Sequence, residues 1–189
     1  MVRDSDRLAS SGTIFHRSTN QRPVHIVTDP FETPMPIEKL ARLFAQHMPH
    51  GRDIGMRLDD AAADGRTRMS LSAQALLAGD PAACFFFPGV LFSLADSACG
   101  LAVFRALGRF TPIATLDMRI DHLAPATMDA DLIAVAECYR LTKPIAFARC
   151  ELLSGPRRRV AAIAMGTFML SSSSAKPPEM SKFAGGPER

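Results

Sequence analysis

One carboxylate stands out in this chain. In Pro88–Ala102, PGVLFSLADSACGLA, Asp96 sits among apolar and small residues in a stretch that reads as a helix. Val90, Leu91, Leu94, Ala95, Ala98, Leu101 and Ala102 build an apolar face. Ser93, Ser97, Cys99 and Gly100 are small enough to let a sheet approach closely. A carboxylate in such surroundings costs free energy unless it finds partners or shifts its pKa. The chemistry it offers is that of a general base on water, or of a nucleophile toward a carbonyl. The plainer alternative is a carboxylate satisfied by backbone or by a neighbouring hydroxyl. Other reactive side chains offer less. Cys84, Cys99, Cys138 and Cys150 are scattered without a C-x-x-C pair and read as reduced core residues. His16, His25, His47, His50 and His122 form no ligand-spaced cluster, so no metal site is expected. His47 and His50 read as a helix end, and His122 as structural.

The elements that must position Asp96 follow from periodicity. Pro36 opens a helical pattern through Ile37, Leu40, Ala41, Phe44 and Met48, which Pro49 to Gly51 should stop. Strand-like stretches at Ile54–Leu58 and Arg66–Ala73 suggest a hairpin through Asp64-Gly65. An irregular loop, Leu77–Phe87, leads to the second helix, Pro88 to about Leu107. Pro88 suits the first helical position and Gly108 a C-terminal stop. In Pro112–Leu123 strict alternation puts Leu116, Met118 and Ile120 on one face and Thr115, Asp117, Arg119 and Asp121 on the other. Asp117 suits an ion pair with Arg119 or Arg149. Leu132–Leu153 divides into two strands near Leu141–Pro144. After the turn Ser154-Gly155-Pro156, Val160–Leu170 is nearly all apolar and should lie centrally in the sheet, covered on both faces. The order predicts an α+β fold, an antiparallel sheet wrapped around one buried helix.

Composition bounds the rest. With 189 residues, 47% of them hydrophobic and 22% charged, the chain suits one domain with ragged ends. A polar arm over residues 1–30 and a low-complexity tail over 171–189 flank a folded part over 31–170. A net charge of +3 does not argue for nucleic acid and suits an anionic small ligand equally well. No apolar run of bilayer-spanning length is evident, so no membrane partner is expected. The start, MVRDSDRLASSG, has no secretory-type hydrophobic stretch, so a cytoplasmic location is the default.

Four segments together carry a family likeness: PGVLFSLADSACGLA (Pro88–Ala102), ATLDMRIDHLAPA (Ala114–Ala126), YRLTKPIAFARCELL (Tyr139–Leu153) and RVAAIAMGTFML (Arg159–Leu170). In order and spacing the chain resembles the hotdog-fold acyl-CoA thioesterases of the phenylacetate-degradation type, over roughly residues 36–170. The resemblance implies a hotdog fold, a curved antiparallel sheet around a long central helix. It also implies assembly as a homodimer or homotetramer with active sites at the subunit interface. Asp96 matches the catalytic carboxylate, Thr115 a hydroxyl that positions the water, and Gly89 lies at the helix start that holds the oxyanion. Phe87, Pro88 and Ser97 fall beside that site. Lys143, Arg157 and Arg158 fall where the family meets the coenzyme A arm, although Lys143 and the Arg157–Arg159 run by themselves read as solvated turns. Coenzyme A enters as part of the substrate, with no separate cofactor.

The chain also departs from the pattern. Phe87-Pro88-Gly89 replaces the family's His-Gly-Gly, and Pro88 has no N–H to give an oxyanion. The family's upstream Asn or Gln falls near Pro81. The aromatic run Phe85–Phe87 reads either as ordinary core or as a wall of an acyl pocket. Three functions are therefore weighed: acyl-CoA hydrolysis, non-catalytic acyl-CoA binding, and acyl-carrier dehydration on the same fold. Dehydration is disfavoured, since Phe85–Phe87 offers no imidazole and Leu94 stands where an acid would be needed.

Overall fold

The computed structural model describes residues 36, 39, 48–59, 64–80, 84–109 and 111–171. The arm over 1–30, most of the helix expected over 36–48, Pro81 and the tail beyond 171 lie outside them. A long helix, α2 (Pro88–Leu107), is held against a six-stranded antiparallel sheet. The strands are β1 (Met56–Asp59), β2 (Thr67–Leu71), β5 (Ile113–His122), β6 (Leu132–Leu141), β7 (Ile145–Ser154) and β8 (Arg159–Leu170). Their order across the sheet is β1-β2-β6-β7-β8-β5. A separate two-stranded pair, β3 (Ala78–Asp80) and β4 (Phe85–Phe86), precedes α2, and a short helix, α1 (Pro49–Asp53), precedes β1. The curved sheet around one central helix is the expected α+β hotdog arrangement.

The helix meets the sheet through the residues that its sequence marks as apolar and small. Leu91, Leu94, Ala95, Ala98, Cys99, Leu101, Ala102, Val103 and Phe104 are all buried. Opposite them stand alanines on the inner face of the sheet, among them Ala134, Ala136, Ala148, Ala162 and Ala164. Small residues on both surfaces bring backbone close to backbone, which gives close packing without large side chains. At twenty residues α2 does reach the length and composition of a membrane span, contrary to the sequence expectation. Eleven of those residues are buried inside the fold, as in a core helix.

The helix is terminated by Gly108, whose φ of 66° is left-handed and whose N–H bonds the carbonyl of Arg105. Arg105 in the last turn complements the helix dipole and donates from Nη1 to the carbonyl of Arg66 at 2.7 Å, tying the helix end to β2. Gly108→Ala forces a Cβ into that conformation, and urea unfolding should register a loss of about 1 kcal/mol. An unchanged midpoint would mean that the cap contributes nothing.

Pro49 opens α1, where its missing N–H is harmless, and the helix that Pro49 to Gly51 were expected to stop lies almost wholly outside the described residues. Three sequence expectations are corrected. The segment Leu77–Phe87 is not irregular throughout. A 3-10 turn at Ala75–Leu77 and the β3–β4 pair organise it. Strand β8 lies between β7 and β5, next to the edge, and only its inner face is covered within the chain. On the outer face Ile163, Met165 and Met169 remain exposed. Asp117 is not the partner of either arginine: Arg119 pairs with Asp121 at 3.0 Å, and Arg149 pairs across the sheet with Glu137.

Candidate active site

Strand β5 does not alternate regularly, and the irregularity sets the site. Its register with β8 shifts between Thr115, opposite Phe168, and Asp117, opposite Thr167. The extra residue, Leu116, is half exposed. Ile113 on one side of the shift and Met118 and Ile120 on the other all pack toward the core. With strict alternation, Thr115 would point away from the face that Met118 and Ile120 share. The bulge changes the phase by one residue and turns Thr115 toward the helix. There its Oγ1 donates to Oδ1 of Asp96 at 2.9 Å. Asp96 is half-buried and Thr115 exposed in the single chain, so the pair is open to a ligand. Oδ2 of Asp96 takes no hydrogen bond from another described residue. One carboxylate oxygen is therefore held by a hydroxyl while the other has no hydrogen bond from the described residues, an arrangement that suits a general base or a nucleophile.

Beside this pair lies a cavity of about 220 Å³ lined by Met48, Asp96, Ser97, Gly100, Phe104, Thr111, Pro112, Ile113, Thr115 and Phe168. Ser97 is buried in its wall. Most of the other lining residues escaped the sequence reading. Gly100 and Phe104 had a usable signal, because they lie four and eight residues beyond Asp96 and so share its side of the helix. Met48 and Phe168 come from distant elements and had none.

The aromatic run before α2 does not line this cavity. Phe86 is core, and Phe85 faces a second cavity at the other end of the sheet. Phe87 is 55% exposed at the helix start. Backbone bonds fix that start: Phe86 N–H donates to the carbonyl of Ala126 at 2.8 Å, and Phe87 N–H to that of Leu77 at 2.9 Å. Gly79 is needed beneath it, since a Cβ there would stand 3.1 Å from the Phe87 Cα. Phe87 has no capping side-chain bond, and Pro88 contributes no N–H. Gly89 therefore carries the first N–H of the helix, and it lies exposed. Seven residues separate Gly89 from Asp96, placing them on one side of the helix but about 10 Å apart. Gly89 does not line the cavity beside Asp96.

Lys143 and the arginines part company. Leu170, in register with Ile113, also donates its N–H to the carbonyl of Pro144 at 2.7 Å, so Lys143 lies at the same end of the sheet as Thr115. Arg157 and Arg158 occupy the β7–β8 turn, beyond Arg159 at the far end of β8. Nine residues of strand separate Arg159 from Phe168, roughly 30 Å. Arg157, with Arg159, lines a cavity of about 540 Å³ with Thr127, Asp129 and Phe85. Arg158 stands exposed with a φ of 48°. Asp96, Thr115, Ser97 and Lys143 thus gather at one end, and Arg157 and Arg158 at the other.

The buried thiols do not compete with Asp96 as nucleophiles. A hydrogen bond with Cys150, together with burial, pushes the Cys99 thiol far up, and burial pushes Cys138 up to about 11. Both stay protonated and unreactive near neutral pH.

Residues 85–161 match the family profile of the thioesterase superfamily. Among solved structures, a protein from Pseudomonas aeruginosa is 28% identical with a TM-score of 0.63, over 71% of this chain and 98% of that one. A phenylacetic acid degradation protein, PaaI, from Thermus thermophilus is 26% identical with a TM-score of 0.54, over 64% of this chain and 97% of that one. A thioesterase family protein from Silicibacter pomeroyi shares the fold at 18% identity and a TM-score of 0.61, over 71% of this chain and 98% of that one. No curated protein sequence matches significantly.

Proposed function

We propose that this chain, whose residues 85–161 match the thioesterase superfamily profile and whose fold is the hotdog arrangement, hydrolyses an acyl-CoA thioester to the free acid and coenzyme A. The observation that carries this reading is the hydrogen bond from Thr115 to Asp96 at the mouth of a cavity. Thr115 fixes one carboxylate oxygen, and the free oxygen either takes a proton from water as it attacks or attacks the thioester carbonyl itself. In the first case the thiolate leaves directly. In the second a transient anhydride forms and water then opens it.

Charge that develops on the carbonyl oxygen needs donors, and the start of α2 is the natural source. With about 10 Å of helix between them, Gly89 and Asp96 of one chain do not reach the same carbonyl. We therefore assign the complete site to a homodimer or a higher assembly, with Asp96 and Thr115 from one copy and Gly89 from another. Phe87 and Pro88 would border that site, and Lys143 would meet the coenzyme A arm at its mouth. Arg157 and Arg158, at the far end of the sheet, would meet the phosphates only of a substrate bound largely on a neighbouring copy. Nothing in this scheme calls for a cofactor, nucleic acid or a membrane, and it suits a cytoplasmic enzyme.

Free-thiol release from a panel of short, long and aromatic acyl-CoA esters tests the proposal. Turnover on at least one ester is expected. Pro88 motivates a second reading, a non-catalytic acyl-CoA binder, because one backbone donor is absent from the helix start. A folded protein that binds the esters and releases no thiol would establish that reading. Pro88→Gly restores an N–H at that position and should raise kcat by about tenfold or more, since a single oxyanion donor is worth about a hundred- to a thousandfold elsewhere. A kcat that stays level or falls would show that the position faces away from the carbonyl.

A further inference from the structure

Asp96, Gly100 and Phe104 follow one another at intervals of four and form a stripe down one side of α2. All three line the cavity, with Ile113 and Phe168 across from them. The middle residue is the one without a side chain. A Cβ built on Gly100 would meet only Cδ1 of Ile113, at 3.6 Å, which is ordinary contact. The space where a side chain would stand is therefore part of the cavity, and a small one would fit there without clash. Glycine in the middle of a helix lowers its stability, so a glycine at this position needs another reason. Phe104 and Phe168, in the same lining, are 5% and 1% exposed.

We propose that this cavity receives the acyl group and that Gly100 sets its capacity. The proposal rests on the thioesterase reading of Asp96. At about 220 Å³ the space exceeds the roughly 150 Å³ that admits a benzene ring in an apolar protein interior. It holds about one ring with a methylene or two, or a short branched chain. An extended chain of a dozen carbons is too long for it. The ligand class is a compact, apolar acyl group with its carbonyl at Asp96 and its body on Gly100. Selectivity arises from fit against these walls, where each misplaced methylene changes kcat/KM by roughly tenfold or more.

The test compares wild type, Gly100→Ala and Gly100→Val on acetyl-, phenylacetyl- and dodecanoyl-CoA by thiol release. Wild type should prefer phenylacetyl-CoA to dodecanoyl-CoA by at least tenfold in kcat/KM. Gly100→Val should lower the phenylacetyl-to-acetyl ratio of kcat/KM at least tenfold, with Gly100→Ala between. Equal losses on all three esters, or an unaltered ratio in both variants, would overturn the proposal. A parallel measurement separates it from the reading it rests on: thermal unfolding with and without toluene. Toluene should raise the Tm of wild type and leave that of Gly100→Val unmoved. A Tm shift lost in the variant, without hydrolysis in any form, would refute the enzyme and keep the pocket. Hydrolysis without that loss would keep the enzyme and refute the pocket.

Discussion

Asp96→Asn should reduce kcat for thiol release by about a hundred- to ten-thousandfold, the range that a positioned general base supplies. Asparagine keeps the shape of aspartate and, through its carbonyl oxygen, can still accept the hydrogen bond from Thr115 Oγ1. What it lacks is the basic, anionic second oxygen. If the carboxylate works as a nucleophile instead, the loss is at least as large, because an amide oxygen does not form the anhydride. Binding of the ester should change little, since the cavity walls and the start of α2 remain. Removing a half-buried charge should also leave the fold in place. The decisive measurement is kcat on the best ester alongside the affinity for a non-hydrolysable analogue. Unaltered turnover in the variant would exclude Asp96 from the chemistry. Wild type and variant equally inactive, with the variant more stable, would make the carboxylate a remnant in a binding protein.

The position of Asp96 was legible because a helix repeats every 3.6 residues. An apolar stripe with one carboxylate in it is visible from residue types alone. Thr115, which hydrogen-bonds Asp96, is placed by alternation on the face opposite Met118 and Ile120. Alternation assumes an unbroken strand, and the register shift around Leu116 is a property of the β5–β8 pair that β5 does not announce by itself. The same limit explains β8. Its apolar run reads as buried on both faces, yet within the chain Ile163, Met165 and Met169 stand exposed on the outer one. Composition records that a strand is apolar, not what covers it.

The approach to the helix shows a different limit. Phe86 and Phe87 are fixed by carbonyls of Ala126 and Leu77, and Gly79 makes room for the Phe87 backbone. These are pairings between short, non-periodic pieces, so no local pattern foretells them. Arg157 and Arg158 illustrate the third. Their family resemblance placed them near the substrate, and within one chain strand geometry sets them at the opposite end of β8 from the carboxylate. Sequence spacing has no information on which copy of a chain a residue serves.

Phe168→Ala should give the largest loss of stability of any single truncation in the site, about 3–5 kcal/mol by urea unfolding. The ring is 1% exposed and stands on the inner face of β8, directly across from Thr115. Its removal forfeits the transfer free energy of the side chain and leaves a void that the neighbours close only in part. Alanines along the same face, such as Ala162 and Ala164, have no side-chain length with which to fill it. The domain's total stability is of order 5–15 kcal/mol, so the variant would be close to unfolding at physiological temperature. Phe92→Ala is the control, because that ring is 41% exposed on the same helix as Asp96 and should cost far less. If the two phenylalanines cost the same, Phe168 is not a tightly packed part of the cavity lining. The cavity beside Asp96 would then be a deformable gap, and its volume would set no limit on the acyl group.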